Sequence, residues 1–569
     1  MQDIRVIVAI DFGTTYSGFA YSHIANNGSF DGISLQRRWP GRKKNSIIVK
    51  YKADTLLQYD KDLNLIHWGC GVVAEKGNAK GKAAQEKETV VAKLFKLHLA
   101  NINNPPSLPD GLDFRQAITE YLMKLREAII FLFLKIFCWP GLKFPEQFRI
   151  VLSVPAEYGP IERNVMRLCA YNASLIEREG SANLEFTTES EAAALWCMKH
   201  ADQYDLREGD SYLVADCGGG TTDLAIFSIT NKDKLDEMTE RSGAPYGGSY
   251  VDQKFVKEFE KHVGKDVIRR LHQKYFSRYL FLMEHFCHHI KFGFTGIEEE
   301  FEDIDIDIDV VCPAIKKFVE KDKLAKLEED EWIITFNFDD IKRMFTPSIN
   351  RIIELIDNQI YKSSKKLTIK YIFLVGGFSE SPYLQKVVKD HFEIVDNQKV
   401  VVPSEPLTAV LRGAAYYGLN MGALKMRVLK RTYGLRLTRK WDELTDPKTY
   451  LNEDGTIYEF DKLVTRGEKI PVDHQVTREY VVPISKYKRS GITFRVYMSK
   501  LEDPKYIFEE EVIPLGNVSI VIPDEDLVND RRVEFSLTFG SFEIKATAKK
   551  QNKKYEAFFT LDTCDLSHT

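Results

Sequence analysis

The sequence predicts an α/β body followed by a small all-β domain. Over roughly the first 420 residues, apolar β-runs such as IRVIVAI alternate with helical stretches such as FRQAITEYLMKLREAI, a pattern typical of α/β layers. After about residue 430 the apolar segments become short and alternating, and Gly, Pro and Asp separate them, which is typical of all-β domains. An apolar run that ends in Asp and is followed by Gly and paired Thr occurs twice, at 6–18 and 212–223. This recurrence predicts a two-lobed α/β body.

These changes of pattern predict the domain boundaries. Lobe I covers 1–205 and lobe II covers 206–424, and each contains one copy of the recurring motif. A linker at 425–434, KMRVLKRTYG, separates them from a C-terminal domain at 435–569. The chain of 569 residues is too long for one core, because domains typically hold about 100–200 residues.

Composition argues against nucleic-acid partners and a secretory route. The net charge is −4, so we expect no basic footprint for nucleic acid. The 8 cysteines form no CxxC pair, which favours a reducing compartment. The first residues lack the basic and apolar segments of a secretory signal. We therefore expect a cytoplasmic protein.

The most apolar window is AIIFLFLKIFCW, residues 128–139. It contains Lys135 and is shorter than the roughly 20 residues that a helix needs to cross a bilayer. It predicts a buried helix, and we expect no membrane span.

The two copies of the recurring motif point to one phosphate site. Asp11 and Asp216 end the two apolar runs, and ligands of α/β sheets bind beyond the carboxyl ends of the strands. Glycine lets the backbone approach an anion, threonine adds hydroxyl donors, and two carboxylates suit a hydrated Mg²⁺. The small and hydroxyl residues after the acids are Gly13, Thr14, Thr15, Gly218, Gly219, Gly220, Thr221 and Thr222. The pattern predicts a triphosphate held between two bends; two turns that use Gly and Thr for geometry alone are the alternative.

At these residues the chain resembles a known family. IDFGTTYSG, VADCGGGTTD and FLVGGFSESPYLQ resemble the two phosphate motifs and the adenosine motif of actin-like ATPases. Three further stretches resemble motifs of the heat shock protein 70 family in the same order: VLSVPAEYGPIERN, TTESEAAALW and APYGGSYVD. The phrasing is most similar to the divergent 12A/12B-type branch. The resemblance implies an actin-like ATPase fold of duplicated ribonuclease-H-like lobes, with ATP or ADP and Mg²⁺ in a cleft between the lobes.

The resemblance extends less closely into the C-terminal region. LVTRGEKIPV at 463–472, and GITFRVYMS after it, resemble strands of the family's peptide-binding β-sandwich. No long helical lid follows in this sequence. The resemblance implies a truncated peptide-binding domain whose partners are unfolded or extended polypeptides, with co-chaperones as candidate further partners.

The resemblance also implies the roles of individual residues. Lys96, Glu189, Asp216 and Thr221 are the expected catalytic residues, and Asp11, Asp216 and Glu189 are expected to hold Mg²⁺ mostly through water. The expected nucleotide contacts are Asp11, Gly13, Thr14, Thr15, Tyr16, Gly218, Gly219, Gly220, Thr222, Gly247, Gly248, Lys291, Gly376, Gly377 and Phe378. For the lysine at the γ-phosphate, Lys93 is the alternative to Lys96.

The chain departs from the family where adenosine binds. Lys291 is retained, but Phe292 stands in place of an arginine, His288 in place of a glutamate, and Glu380 in place of the arginine that stacks on adenine. Loss of the two arginines, at positions 292 and 380, removes stacking and cation–π contacts with the base, each worth about 0.5–2 kcal/mol. Aromatic Phe292 or Phe378 is expected to restore part of the stacking.

Three functions compete on this reading. The leading hypothesis is an ATP-hydrolysing, chaperone-like protein with slow turnover that couples MgATP to polypeptide binding. The alternative is a nucleotide-gated protein-binding scaffold or sensor with little turnover. The altered adenine pocket and the missing lid favour it, and so does the basic linker KMRVLKRTYG, which stands where the family has an acidic, leucine-rich one. A small-molecule kinase is the third, and the C-terminal β-domain counts against it.

Overall fold

The structure is a computed structural model, and it divides the chain into two compact units. The described residues are 3–26, 28–41, 50–74, 89–100, 105–137, 139, 141–363, 367–395, 398–481, 492–520, 531–539, 545–550 and 553–561, without the side chains of 394–395 and 553–561. The first unit comprises Met1–Glu157, Val165–Asp233 and Ser242–Met421. The second comprises Tyr158–Asn164, Lys234–Arg241 and Gly422–Thr569.

Strands occur along the whole described chain. They are β1 (Val6–Phe12), β2 (Tyr16–His23), β3 (Ser34–Leu35), β4 (Ala53–Asp54), β5 (Leu56–Asp60), β6 (Leu65–Trp68), β7 (Thr89–Lys93), β8 (Phe148–Val154), β9 (Leu184–Thr188), β10 (Ser211–Cys217), β11 (Thr222–Asn231), β12 (Lys234–Glu237), β13 (Ser242–Ala244), β14 (Ile304–Asp307), β15 (Ile333–Phe336), β16 (Ile369–Val375), β17 (Lys399–Val401), β18 (Leu424–Val428), β19 (Thr432–Lys440), β20 (Thr456–Val464), β21 (Lys469–Pro471), β22 (His474–Val481), β23 (Ile492–Ser499), β24 (Val512–Ile520), β25 (Arg532–Phe539), β26 (Lys545–Lys550) and β27 (Lys553–Leu561).

The α-helices end before the strands of the C-terminal region begin. They are α1 (Cys70–Ala74), α2 (Phe114–Ile130), α3 (Pro160–Asn172), α4 (Glu189–Lys199), α5 (Gly248–Val263), α6 (Lys265–Lys274), α7 (Phe276–His285), α8 (Ile308–Val311), α9 (Lys321–Glu329), α10 (Phe338–Ser363), α11 (Pro382–Val395) and α12 (Ala409–Leu419). The predicted change from alternating helices and strands to strands is therefore confirmed in the described residues. None of the helices described is both long enough and apolar enough to cross a membrane.

Two sheets of the first unit carry the recurring motif in the same way. The first sheet has the strand order β3-β2-β1-β8-β9, and the second contains the order β17-β16-β10-β11. In each sheet the motif strand, β1 or β10, pairs antiparallel with the strand that follows it in sequence and parallel with a later strand. Every residue of β1 and of β10 is buried, as their continuous apolar runs predict for central strands.

The second unit contains an antiparallel sheet with its own core. Its strand order is β20-β19-β23-β24-β27-β26-β25-β22. Side chains from both halves of this sheet, including Leu435, Val496, Phe535 and Leu537, belong to one buried cluster. The assignment of this unit to a peptide-binding β-sandwich stays a prediction.

The predicted linker is placed mostly in strand. Residues 425–434 cover most of β18 and the start of β19, and β18 pairs with β12 and β21 inside the second unit. The boundary between the units lies at Met421/Gly422, a few residues before the predicted start of the linker. The other predicted domain boundaries stay predictions.

The apolar window at 128–139 is only partly buried, so the prediction of a buried helix there is wrong in part. Leu132 and Phe133 are buried, whereas Phe131 is 58% exposed and Ile136 is 47% exposed. After α2 the helix widens into a π-helical segment at Phe131–Ile136. The sequence is apolar on all sides here, so periodicity could not separate the inner face from the outer one.

Helices α4 and α12 cross at a glycine. A Cβ built at Gly413 of α12 would lie 1.7 Å from the carbonyl oxygen of Ala192 in α4. Both helices are buried along most of their length. The crossing therefore requires a residue without a side chain at position 413.

We expect Gly413→Ala to lower the free energy of unfolding by about 1–3 kcal/mol, because a methyl group has no room against the α4 backbone. Urea denaturation of the purified variants measures this. The matched control is Gly180→Ala in the same unit, where no atom lies within 4 Å of an added Cβ. Equal stability of the two variants would contradict the described crossing.

Candidate functional site

The two acids of the recurring motif lie near the ends of equivalent strands. Asp11 on β1 is opposite Gly18 on β2 and Ser153 on β8. Asp216 on β10 is opposite Asp223 on β11. The Ser153 hydroxyl lies 3.0 Å from Asp11 Oδ1 and donates to it. Both acids are nearly buried, with exposed fractions of 3% for Asp11 and 5% for Asp216.

The bends that follow these acids touch one another. A Cβ built at Gly219 would lie 2.0 Å from Thr15 Oγ1, and one at Gly220 would lie 2.6 Å from Thr14 Oγ1. The structure thus brings together two bends that are about 200 residues apart in the sequence. Since the two bends are in contact, a phosphate that binds both of them either lies beside this contact or requires the bends to move apart.

Hydroxyl groups of Ser17 and Thr55 form hydrogen bonds with the backbone of the first bend. The backbone N–H of Gly13 donates to Ser17 Oγ at 3.1 Å, and the Thr55 hydroxyl donates to the Gly13 carbonyl at 2.9 Å. The Thr55 backbone N–H donates to the Thr15 carbonyl. Tyr16 is 43% exposed. These bonds fix the backbone of the bend, so its geometry does not depend on a bound ligand.

The second bend is held by the start of α5. The N–H groups of Gly248 and Ser249 donate to the carbonyls of Gly218 and Gly219, and an added Cβ at Gly247 would meet the same two residues at 2.6 Å. Gly247 of the APYGGSYVD stretch therefore permits this close approach, whereas Gly248 lies against Lys291 and Phe378.

Thr222 has a different role from the one expected. It is fully buried, and its hydroxyl donates to the Tyr246 carbonyl at 2.7 Å. This bond uses the donor that was expected to contact a phosphate. Thr221 is only partly buried, and its carbonyl accepts from the Gly218 N–H.

Lys96 and Glu189 form a buried ion pair in the first unit. The Lys96 Nζ lies 2.8 Å from Glu189 Oε1, and the two side chains are 3% and 10% exposed. Lys93 instead directs its Nζ toward the hydroxyl of Tyr279, at 3.4 Å. The geometry therefore favours Lys96 over Lys93 as the lysine of the site.

A helix cap positions Glu189. Thr188 caps α4: its hydroxyl accepts from the Glu191 N–H at 3.1 Å, and the Glu191 carboxylate accepts from the Thr188 N–H at 3.0 Å. This reciprocal capping box is encoded by the sequence T-E-S-E. It places Glu189 at the first turn of the helix, where the helix dipole favours a carboxylate.

Two carboxyl groups of the second sheet have raised pKa values. Burial, with the charges of Glu189, Asp223 and Asp11, raises the pKa of Asp216 well above its usual value, against the opposing effect of Lys52. Burial and the charge of Glu189 raise the pKa of Asp223 to about 7.

Asp223 was missed by the sequence analysis, although it is the last residue of the second motif. Its Oδ1 accepts from the Ala156 N–H at 2.8 Å, and its Oδ2 is buried with no hydrogen-bond partner among the described residues. Both Asp216 and Asp223 belong to the VADCGGGTTD stretch, which is the signal that could have found Asp223. The structure places the two residues opposite each other on β10 and β11.

Lys52 was also missed. It is 9% exposed, and its Nζ lies 2.5 Å from Asp11 Oδ2. Burial alone would lower its pKa, but the charges of Asp11, Asp216 and Glu189 outweigh burial and raise it. No local pattern marks this residue, because it lies between β3 and β4 and belongs to no motif.

The residues present fit a hydrated Mg²⁺. The carboxylates of Asp11, Asp216, Glu189 and Asp223 and the ammonium groups of Lys52 and Lys96 interact within one cluster, which leaves more acid than base. The unpartnered oxygen of Asp223 is a further hydrogen-bond acceptor for a water molecule. Within the described chain, no three His, Cys, Asp or Glu side chains converge to ligate one ion directly. A Mg²⁺ ion here would be held mainly through its water.

The residues expected to contact adenosine are largely occupied by protein contacts. The Lys291 Nζ donates to the Gly248 carbonyl and to Asp252 Oδ1, both at 2.7 Å. Phe378 is 2% exposed and stacks on Phe345. Neither side chain presents a free face to a base.

The glycines of the adenosine motif lie beside the acid cluster. An added Cβ at Gly376, which has a φ of +86°, would lie 2.2 Å from Asp216 Oδ1, and one at Gly377 would lie 3.2 Å from Leu407. The motif therefore approaches Asp216 closely through its backbone.

Comparison with known proteins finds similarity to one family over most of the chain. Residues 186–430 match the family model described as Hsp70 protein. The chain is 25% identical to Heat shock 70 kDa protein 12A of Homo sapiens and 26% identical to that of Mus musculus, over 96% of this chain and 90% of each relative. It is 24% identical to Heat shock 70 kDa protein 12B of Homo sapiens, over 95% of this chain and 89% of the relative. The matches confirm the resemblance to the heat shock protein 70 family and its 12A/12B-type branch, and with it an actin-like ATPase domain of mixed α/β content. The two-lobed layout stays a prediction.

We expect Asp223→Asn to be more stable than the wild type at pH 8.5, by about 1–3 kcal/mol. The folded pKa of about 7 lies above the unfolded value of 3.8. The protonated carboxyl therefore stabilises the fold below about pH 4, and this contribution is lost as the pH rises through about 7. Asp223→Asn has no titrating group at this position, so its free energy of unfolding does not fall in this way as the pH rises. Urea denaturation at pH 5 to 8.5 measures the difference.

The control for this measurement is Asp62→Asn at an exposed position, which should follow the wild-type profile. If Asp223→Asn follows that profile too, the described burial of Asp223 is wrong.

Proposed function

We propose that this chain, which carries an Hsp70-family domain, binds MgATP at the two touching bends and hydrolyses it slowly to regulate polypeptide binding. The observation that carries the proposal is the contact of Thr14 and Thr15 with Gly219 and Gly220, beside the Lys96–Glu189 pair. Hsp70 homology itself supports nucleotide binding. Hydrolysis, magnesium and chaperone activity are the proposal.

Phosphoryl transfer requires mainly positioning and charge neutralisation. Bound Mg²⁺ supplies neutralisation of phosphate charge. In this chain Lys96 is held by Glu189 and provides a buried ammonium group that can contact a phosphate oxygen. Asp223, with a pKa of about 7, can hold a proton at neutral pH and is suited to accept one from an attacking water. Thr221 remains the candidate to orient that water.

The second unit is the proposed site for extended polypeptide. Its antiparallel sheet has its own apolar core and has β20 and β22 at the ends of the strand order. Extended peptides bind commonly at sheets through backbone hydrogen bonds and side-chain pockets. Unfolded polypeptides, with co-chaperones as further partners, are therefore the proposed ligands. The cysteines described are all free thiols, which suits the proposed cytoplasmic location.

A nucleotide-gated scaffold with little turnover is the second candidate. The observation that favours it is the adenosine side of the site, where Lys291 is engaged by Gly248 and Asp252 and Phe378 is buried. Fewer contacts with the base lower the binding energy available for catalysis.

We expect Lys96→Met and Asp216→Asn to reduce ATP turnover by about 10²–10³-fold, because the first removes an ammonium group that can contact phosphate and the second removes a carboxyl group of the proposed Mg²⁺ site. Steady-state release of phosphate with Mg²⁺ present measures this. Lys93→Met is the matched control, since Lys93 contacts Tyr279 rather than the acid cluster, and it should retain most of the activity. Undiminished turnover in both site variants would remove the proposed mechanism.

We expect an unfolded polypeptide to stimulate ATP turnover of the wild type several-fold if the protein is a chaperone-like ATPase. Turnover with and without a reduced, carboxymethylated protein measures the effect, and the same protein in its native form is the control. Tight ATP binding without stimulation would favour the scaffold instead.

A further inference from the structure

Lys52 is a buried cation that belongs to none of the motifs. Its Nζ lies 2.5 Å from Asp11 Oδ2, and the two side chains are 10% and 5% exposed. The other oxygen of Asp11 accepts from the Ser153 hydroxyl. Both oxygens of this carboxylate are therefore engaged by protein groups, so a hydrated metal ion at Asp11 has to share the carboxylate with the Lys52 ammonium.

Lys52 interacts with carboxylates of both sheets. Asp11 belongs to the first sheet, Asp216 to the second and Glu189 to α4, and the charge of each favours the ammonium form of Lys52. Lys52 in turn favours the ionised form of Glu380, the residue found where the family has a cation that stacks on adenine. One ammonium group thus balances negative charge at several points of the site.

The fold holds Lys52 in this position. The Tyr51 hydroxyl donates to Glu405 Oε1 at 3.0 Å, and the Trp39 indole N–H donates to the Lys50 carbonyl at 3.0 Å. A Cβ added at Gly18, opposite Asp11, would lie 2.8 Å from the Tyr51 carbonyl oxygen and 3.0 Å from Lys52 Cγ. Gly18 therefore leaves the space through which Lys52 reaches Asp11, and both flanking residues are anchored.

We infer that Lys52 is a built-in counter-cation of the phosphate site, which makes nucleotide binding less dependent on Mg²⁺. An ammonium group carries three donors and can move from a carboxylate to a phosphate oxygen by a small rotation of its flexible side chain. The ligand is a nucleoside polyphosphate. With Lys52 present, part of the neutralisation that a divalent cation otherwise supplies comes from the protein. This inference rests on the proposed function.

The test compares ATP affinity with excess Mg²⁺ and with EDTA, by calorimetry, for the wild type and Lys52→Met. The dissociation constant in EDTA divided by the dissociation constant in excess Mg²⁺ measures how strongly ATP binding depends on Mg²⁺. We expect this ratio to rise about tenfold or more in Lys52→Met, because a charge-assisted contact with phosphate is lost only there. Lys50→Met is the matched control: Lys50 lies in the same connection but pairs with Asp54 at 3.2 Å, and its ratio should equal that of the wild type. A ratio that stays unchanged or falls in Lys52→Met overturns the inference.

A second measurement needs no nucleotide. Without Lys52, Asp11 and Asp216 lack their shared cation, so Mg²⁺ alone should raise the melting temperature of Lys52→Met more than that of the wild type or Lys50→Met. If Lys52→Met is unfolded in EDTA, Mg²⁺ should restore its fold. Failure of Mg²⁺ to stabilise or restore this variant counts against the inference. If the wild type binds no ATP, the proposed function fails, and this Mg²⁺ titration still decides the role of Lys52.

Discussion

The contact between the two glycine-rich bends is the constraint on which the rest of the site depends. Thr14 and Thr15 lie so close to Gly219 and Gly220 that neither glycine could carry a side chain. Each bend follows a buried strand and is braced from its own sheet, by hydroxyl groups in one case and by the start of α5 in the other. Because each bend is fixed, their meeting point defines where a ligand can contact both.

The charges near this meeting point are balanced by two lysines of different origin. Lys96 pairs with Glu189, and the family resemblance implies a role at the site for each of them, whereas Lys52 pairs with Asp11 and comes from a connection outside every motif. Buried carboxylates without such partners would be strongly destabilising. Burial, with the charges of Glu189, Asp223 and Asp11, still raises the pKa of Asp216 against the effect of Lys52. A cluster with surplus acid is suited to a divalent cation and poorly suited to a bare polyphosphate, and for this reason both Mg²⁺ and Lys52 have a place in the proposed mechanism.

Much of the fold and part of the site follow from local sequence. Continuous apolar runs correctly predicted that β1 and β10 are buried strands. At 128–139 an apolar run predicted a buried helix, and this was wrong in part, because apolar residues on all sides of a helix do not show which side faces the core. The recurring bends were predicted because their chemistry is local. Lys52 and the engagement of Thr222 by the Tyr246 carbonyl were not, because each depends on a partner distant in sequence. Side chains that act through tertiary contacts leave no periodic signal.

The central claim is that both bends bind one polyphosphate, and hydrogen–deuterium exchange on addition of MgATP tests it most directly. Peptides that contain residues 12–16 and 217–222 report the two bends separately. We expect both to become protected together, with the same dependence on ATP concentration, because one ligand contacts both. Protection of a single bend, or of neither at ATP concentrations that saturate binding, would contradict the shared site.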